Sequence, residues 1–321
     1  TPYTIIATGS WVTWTDPTHG VDIVDVDASV TVSAYTAPTI TGNVDYNYGS
    51  GIFTLTGTYF ARKECADDID VTKIALTGEN GVSSKYTLVS SSNVEITSET
   101  QIQFTLDNAA DKFEVNSVLN QDGTVSDDTT TYAFEVAEGF LTAAPTVSQT
   151  ITLTAGIFVG GYVAPAISSV VYNHGTGELK ISGSYFVKEV TAGNDIDATK
   201  FEIRGEGGTH TLTTTGVGIT DISEFTFTLN GVDKVVVNGL LNEVGTQADD
   251  GTIVYNFEAL DNWMPGTDTD TDIASASNAI SVSNYQKPVI VSATYDASTG
   301  LFTVTGNYFA RLGGGAINDV D

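Results

Sequence analysis

Short acidic segments recur at one place in an internal repeat of this chain and could hold a cation. They read DDID at residues 67–70, NDID at 194–197 and NDVD at 318–321. In an extended segment, alternate residues project to the same side, so Asp68 and Asp70 can present two carboxylates to one ion. Hard oxygen ligands of this kind suit Ca²⁺ better than Mg²⁺ or Zn²⁺. We therefore predict calcium sites whose candidate ligands are Asp67, Asp68, Asp70, Asn194, Asp195, Asp197, Asn318, Asp319 and Asp321.

The same acidic segments have a simpler interpretation, because Asp and Asn side chains often hydrogen-bond their own backbone in polar turns. The segments recur in all three repeats while neighbouring residues such as Cys65 and Val190 vary, and this recurrence favours calcium. Glu79 and Glu206 lie in glycine-bounded loops. These two carboxylates either complete the calcium sites or are simply solvated.

Other acidic groups are interpreted structurally. The acidic stretches at 22–27 and 266–272 have no carboxylate in their counterpart from residue 141, so we expect solvated edge strands there rather than ligands. The members of this group are Asp22, Asp25, Asp27, Asp268, Asp270 and Asp272. A further group is expected to form hairpin turns and comprises Asp127, Asp128, Asp249 and Asp250.

Catalytic motifs are missing from the sequence. His19, His174 and His210 are isolated, and the positions matching the last two in the other complete repeat hold Tyr48 and Tyr86. No HExxH, GxSxG or phosphate-binding GxxxxGK[ST] motif occurs. The single cysteine excludes an intrachain disulfide and a thiolate zinc cage. We expect no enzyme activity.

The acidic segments belong to a domain-sized repeat. The stretch APTITGNVDYNYGSGIFTLTGTYF begins at residue 37, and it returns as APAISSVVYNHGTGELKISGSYF from 164 and as KPVIVSATYDASTGLFTVTGNYF from 287. The first 36 residues match the ends of both complete repeats. We expect a window from a longer tandem array, although complementation between its two ends is an alternative. The predicted organisation is the tail of one repeat at 1–36, complete repeats at 37–163 and 164–286, and the head of a further repeat at 287–321.

Each repeat is predicted to be mainly β. Segments such as IFTLTGTYF and IQFTL alternate apolar residues with Thr, Ser or Gln, as half-buried antiparallel strands do. One short helix is expected at 109–119, with its counterpart at 232–241. This pattern favours tandem Ig-like antiparallel β-sandwich domains, each with one short helix, in a linear array. Trp11, Trp14 and Trp263 lie near repeat ends, where packing between repeats explains them more simply than sugar stacking.

Charge limits the classes of partner. The 12 Lys and Arg residues against 40 Asp and Glu residues give a formal net charge of −28. Such a surface repels phosphate backbones and anionic lipid, so we expect no nucleic-acid partner. The apolar runs are short and interrupted, which argues against insertion in a membrane. Cations, copies of the chain itself and neighbouring repeats are the expected partners, and surface glycans are a further candidate.

The opening P-x-I-x-x-x-x-Y, followed by G-x-x-x-[IV]-[ST]-G-x-Y-F and then [ND]-D-[IV]-D, resembles tandem Ig-like repeats of very large bacterial surface proteins. These include calcium-dependent adhesins and S-layer or filament-forming chains. The resemblance implies secretion, bound calcium and a structural role. We predict a calcium-stabilised extracellular protein that forms or extends a cell-surface layer or filament. The alternatives are the stalk of a giant adhesin and an array of carbohydrate-binding modules.

Overall fold

The computed structural model describes residues 3–7, 25–31, 33, 36–63, 67–90, 94, 96, 98–143, 153–190, 193–249 and 251–311. The chain divides into two compact units, 1–38 and 39–321, which are treated separately. In these residues the protein is mainly β, with several sheets and two short α-helices. Within the described ranges, no helix is long and apolar enough to cross a membrane.

In the described part of the first unit, β1 (Tyr3–Ala7) and β2 (Asp25–Val30) form an antiparallel pair. Thr4 pairs with Ser29 and Ala7 pairs with Asp25, with an irregularity in between.

The described residues of the first complete repeat form a connected set of eight strands and one α-helix. The strands are β3 (Thr39–Ile40), β4 (Val44–Asn47), β5 (Ile52–Thr58), β6 (Ile74–Thr77), β7 (Tyr86–Thr87), β8 (Gln101–Thr105), β9 (Ala133–Val136) and β10 (Leu153–Gly160). The helix α1 (Ala109–Val118) follows β8. The strand order is β3-β5-β4-β10-β9-β6-β7, and β8 pairs with β5.

The second complete repeat has the same plan. Its strands are β11 (Ala166–Asn173), β12 (Glu178–Ser184), β13 (Phe201–Gly205), β14 (Gly208–Thr211), β15 (Glu224–Thr228), β16 (Asn256–Ala259) and β17 (Ser275–Ser283). Its helix is α2 (Gly231–Leu240). The strand order is β14-β13-β16-β17-β11-β12-β15. Both predicted helices are confirmed, and each ends one residue before its predicted end.

The alternation seen in the sequence divides each strand between the core and the surface. In β5 and β8 the inward residues include Phe53, Leu55, Ile102 and Phe104, all nearly fully buried, while the Thr and Gln residues between them face outward. Two hydrophobic cores result, one formed by residues 44–159 and the other by residues 170–282 together with Phe113.

The last strand of each repeat joins two groups of strands. β17 pairs antiparallel with β16 through its first half and parallel with β11 through its second half. β10 repeats this arrangement with β9 and β4. The register of β16 with β17, including the irregularity, is the one that β1 and β2 show in the first unit.

A final hairpin begins the next repeat. It consists of β18 (Val289–Asp296) and β19 (Leu301–Asn307), and its register, with an irregularity between Ile290 and Ser292, reproduces that of β11 with β12.

The recurring G-x-Y-F motif has a physical explanation. A Cβ at Gly57, Gly183 or Gly306 would lie 2.1 Å from a carbonyl oxygen of the facing strand and 2.4–2.5 Å from the Phe ring three residues later. Only glycine permits this approach. The motif's Tyr adopts positive φ in every copy, at 61° for Tyr59, 59° for Tyr185 and 60° for Tyr308.

Candidate functional site

The first Asp of each predicted calcium pair is buried and bound to its own loops. Asp68 is fully buried and accepts hydrogen bonds from the backbone N–H of Lys63 and from that of Ile96, at 2.7 Å. Asp195 accepts from the N–H groups of Glu189 at 2.8 Å and Ile219 at 2.6 Å. Both carboxylates therefore fasten two loop segments together within a repeat.

The second Asp of each pair caps a short turn instead. Asp70 accepts from the backbone N–H of Thr72 at 3.1 Å and from its hydroxyl at 2.6 Å. Asp197 does the same with Thr199, at 3.0 and 2.6 Å. These contacts cap the 3₁₀ turns at 71–73 and 198–200. Each pair is thus divided between two structural tasks, a geometry that favours the polar-turn alternative.

The remaining predicted ligands lie around these loops. Asp67 is exposed, and its carbonyl oxygen accepts from the Thr142 hydroxyl at 2.5 Å. The Asn194 amide, in the orientation that satisfies its neighbours, donates to the Gly193 and Gly216 carbonyls. The third segment, with Asn318, Asp319 and Asp321, lies outside the described residues, as does Cys65. In the part of the chain that the structure describes, no three His, Cys, Asp or Glu residues form a metal-binding group. Calcium binding stays a prediction.

The two loop glutamates occupy the same place in their repeats. Glu79 Oε2 accepts from Asn120 Nδ2 at 3.2 Å and from the Asp128 N–H at 3.3 Å. Burial raises the pKa of Glu79 above its ordinary value, although the Asp128 N–H opposes this shift. Oε2 of Glu206 is buried and has no hydrogen-bond partner among the described residues. Neither side chain reaches the DDID or NDID carboxylates through a described contact.

The sequence reasoning missed a buried Asp in the first turn of each helix. Asp111 and Asp233 are both fully buried. Asp111 accepts from the Val89 and Ser90 N–H groups, each at 3.0 Å. The signal was available, since both helices carry an Asp-Lys pair at the same position.

Asp233 has an even denser set of donors. The backbone N–H and hydroxyl groups of Thr213 and Thr214 donate to it over 2.6–2.9 Å. Burial raises the pKa of Asp233, but the hydrogen bonds from Thr214, His210 and Thr213 outweigh burial and hold it below its ordinary value of 3.8. The ionised carboxylate anchors the loop that precedes β15.

The isolated histidine His210 completes this anchor. Its Nε2 lies 2.9 Å from Asp233 Oδ1, and in the first repeat the Tyr86 hydroxyl donates to Asp111 Oδ1 at 2.6 Å. Tyr86 and His210 therefore fill one structural role, which explains how the repeats can exchange them.

A packed junction joins the two complete repeats. Tyr185, from the G-x-Y-F motif of the second repeat, stacks on Tyr48 of the first with ring centroids 6.2 Å apart, and Tyr162 packs on Tyr48 at 5.0 Å. The Lys112 ammonium lies 5.6 Å from the Tyr185 ring centroid, within range of a cation–π contact.

The junction also contains ionic, hydrogen-bonded and apolar contacts. Lys188 forms an ion pair with Glu114, and its backbone N–H donates to the Ser117 hydroxyl at 3.1 Å. Phe113 of helix α1 packs into the hydrophobic core of the second repeat. On another side, Thr269 donates its hydroxyl to Asp127 at 2.9 Å. The junction thus combines aromatic, ionic and core contacts.

Carboxylates also gather beside this junction. Burial raises the pKa of Tyr162, and the nearby Asp268 and Asp122 raise it further, because an added negative charge is unfavourable there. The segment holding Asp268, Asp270 and Asp272 forms turns before β17, so the expectation of an edge strand at this place is wrong.

The corresponding positions of the second repeat contact one another and the residues that follow the final hairpin. Within the second repeat, His174, which replaces Tyr48, packs on Tyr285 with ring centres 4.6 Å apart, as Tyr48 packs on Tyr162 in the first. The Arg311 N–H donates to the Val235 carbonyl at 2.9 Å. Burial and Lys234 lower the pKa of His174 below its ordinary value of 6.5, against an opposing hydrogen bond at the Asn238 backbone. Arg311 therefore contacts helix α2 as its counterpart Lys188 contacts helix α1.

Trp263 lies elsewhere than the sequence suggested. It is fully buried in the second core among Phe186, Phe201 and Phe225, and its Nε1 donates to the Ile273 carbonyl at 2.9 Å. Its expected role in packing between repeats is therefore wrong. Trp11 and Trp14 lie outside the described residues.

Comparison with known proteins adds little to this picture. No family model matches the chain, and no curated protein matches it. Among solved structures, one described as "Structural basis for Dscam isoform specificity" is 9% identical with a TM-score of 0.17, covering 82% of this chain and 56% of that one. Another, the N-terminal four Ig domains of Dscam1 isoform 4.4, is 10% identical with a TM-score of 0.18, covering 81% and 55%. The match spans just over half the length of these chains. A likeness at this level shows nothing about the role of this chain.

Proposed function

We propose that this chain is a structural, extracellular repeat protein whose units stack end to end and form or extend a cell-surface layer or filament. One observation carries the proposal: Lys188 contacts helix α1 of the preceding repeat, and its counterpart Arg311 contacts helix α2 where the next repeat begins. A free linker would leave neighbouring domains to move independently. A contact that recurs from repeat to repeat instead suits a rod that bears load.

The architecture proposed for each repeat is an Ig-like β-sandwich. Its support is the pairing of the last strand with strands of two groups, together with a core between alternating inward residues. Seven or eight short strands per repeat agree with the size of such domains.

The proposed cofactor is calcium, acting as a stabiliser rather than a reactant. Its support is the net charge of −28 and the recurrence of the acidic segments. A cation that binds only the ordered chain would add its binding free energy to stability. In this proposal the chain is secreted and catalyses no reaction.

Electron microscopy of the purified chain in millimolar calcium and after EGTA tests the role. Ordered filaments or sheets that dissolve on chelation would support a calcium-dependent layer or filament. Unassembled rods in both conditions would contradict the layer and leave the alternative, a stalk that extends a distant adhesive tip.

Small-angle X-ray scattering of charge-reversal variants tests the junction itself. Lys188→Glu places a second negative charge beside Glu114 at the junction. We therefore expect the angle between the repeats to vary more, so that the distribution of maximum dimensions becomes broader. Lys180→Glu is the matched control, because Lys180 forms its ion pair with Glu224 inside the second repeat. Equal scattering curves for both variants would contradict a junction that holds the repeats in line.

A further inference from the structure

A row of side chains crosses the outer face of the first repeat at right angles to its strands. Phe158 of β10 pairs with Asp45 of β4, Asp45 pairs with Thr54 of β5, and Thr54 pairs with Gln103 of β8. Because neighbouring strands lie about 4.8 Å apart, these four residues form a line roughly 14 Å long. We refer to them as the Phe158 row.

The aromatic end of the row is an open platform. Phe158 is 47% exposed, although most other Phe side chains of the complete repeats are buried. A Cβ at residue 160 would lie only 3.5 Å from Cε1 of Phe158, so the ring lies beside Gly160, which has no side chain to cover it. The glycine therefore leaves space next to the ring.

Polar groups of several kinds stand beside this platform. Asp45 supplies carboxylate oxygens, Thr54 a hydroxyl and Gln103 an amide whose Nε2 donates to Thr54 at 3.2 Å. Together with Asn47, Ser50 and Ile52, the row lines a depression of about 350 Å³. This volume lies at the lower end of the range of small-ligand sites, about 300–1,000 Å³.

The chemistry of the depression selects its ligand. Sugar rings have apolar C–H faces that pack on aromatic rings, and hydroxyl groups that bond to carboxylates, hydroxyls and amides. An apolar peptide segment would find little apolar surface here beyond Phe158 and Ile52. A strand cannot be added either, because β4 and β5 are already paired on both sides. The net charge of −28 and the Asp45 carboxylate disfavour an anionic polysaccharide.

We propose that the Phe158 row of the first repeat binds a neutral oligosaccharide, with one sugar ring packed on Phe158 and its hydroxyl groups bonded to Asp45, Thr54 and Gln103. This site does not depend on the proposed structural role, and it would let a layer or stalk hold a glycan.

The second repeat supplies an internal control. The equivalent row, in the same register, consists of Ser281, Val171, Lys180 and Thr226. It has no aromatic residue and no carboxylate, and Lys180 is engaged with Glu224 at 2.7 Å. The proposal therefore places an oligosaccharide site in the first repeat and none at the equivalent row of the second.

The test is isothermal titration calorimetry of the full chain with laminarihexaose, cellohexaose, chitohexaose and mannohexaose. We expect at least one of these neutral probes to bind. Phe158→Ala should weaken that binding about tenfold or more, and Asp45→Ala should also weaken it. Val171→Ala in the equivalent row should leave it unchanged. Because Phe158 and Asp45 are exposed, the thermal unfolding midpoints of all variants should match that of the unaltered chain.

Three outcomes would overturn the proposal. The first is failure of all four probes to bind at millimolar concentration. The second is binding that survives Phe158→Ala, which would place the sugar elsewhere. The third is binding of dextran sulfate in preference to the neutral probes, which would show recognition of negative charge.

Discussion

Tyr185 stacks on Tyr48 across the junction of the two complete repeats, with ring planes 29° apart. The contact depends on the left-handed backbone of Tyr185, whose φ is 59°. A non-glycine residue in this region is unfavourable unless the surrounding structure holds it there. Tyr59 has the same φ with an exposed ring, so the G-x-Y-F turn itself holds this backbone, and it directs the Tyr185 ring onto Tyr48.

Removing the Tyr185 ring should loosen the junction without unfolding either repeat. Tyr185→Ala should weaken the free energy of interaction between the two repeats by about 1–3 kcal/mol, because the ring packs on Tyr48 and beneath Lys112. Small-angle scattering of the full chain should show a broader range of lengths. Tyr59→Ala is the control, since Tyr59 has the same motif position and is 56% exposed. Identical scattering by the two variants would contradict a role of the Tyr185 ring in holding the two repeats together.

The buried helix carboxylate should be a major determinant of stability. Asp233→Ala leaves the N–H groups of Thr213 and Thr214 without an acceptor, so we expect a loss of about 2–4 kcal/mol in the free energy of unfolding of the second repeat. His210→Tyr should be tolerated to within about 1 kcal/mol, because Tyr86 already fills that place in the first repeat. Urea unfolding followed by circular dichroism measures both changes. A milder effect for Asp233→Ala than for His210→Tyr would refute the anchor.

The packing of His174 on Tyr285 at the end of the second repeat should weaken in mild acid. A folded-state pKa below 6.5 means that folding favours neutral His174, so its contribution to stability is present above pH 6.5 and is lost as the pH falls through the folded value. Nuclear magnetic resonance of the His174 imidazole should give a titration midpoint below 6.5, and contacts at Tyr285 should change with it. A midpoint at or above 6.5 would contradict this prediction.

Glycine in the G-x-Y-F motif should be irreplaceable. Gly183→Ala forces a Cβ to within 2.1 Å of the Ala166 carbonyl oxygen and against the Phe186 ring, so the strands must separate. We expect destabilisation of about 3 kcal/mol or more. Gly193→Ala, with open space around the added methyl group, should change stability by less than about 1 kcal/mol. Thermal unfolding of both variants compares the positions directly.

The DDID loop allows the structural and calcium interpretations to be separated. Asp68→Ala should cost about 2–4 kcal/mol in calcium and in EGTA alike, because it strips an acceptor from the Lys63 and Ile96 N–H groups. Asp67→Ala, at an exposed neighbour, should cost less than about 1 kcal/mol. If the Asp68→Ala cost appears only in calcium, the carboxylate serves as an ion ligand instead. Unfolding monitored by circular dichroism with and without EGTA decides between the two.

Patterns along the sequence determined the local elements. Alternation of apolar and polar residues predicted the strands, since side chains in a strand point to opposite faces in turn. Helices α1 and α2 were predicted to within one residue at each end, because their apolar spacing and flanking residues are local signals. The repeat is visible because similar segments recur along the sequence. Similar segments also form the same strand register, as the hairpin at 289–307 shows.

Only the tertiary structure decided what the acidic residues contact. Asp68 and Asp70 are two positions apart, yet one binds loop N–H groups from distant segments and the other caps its own turn. The contacts of Asp111 and Asp233 could not be predicted from the sequence, because their donors lie in a loop about 20 residues away in the chain. The Phe158 row combines four strands whose order follows from pairing rather than from sequence. Contacts between residues far apart in the chain depend on the order of the strands and the path of the loops. Local periodicity predicts neither of these.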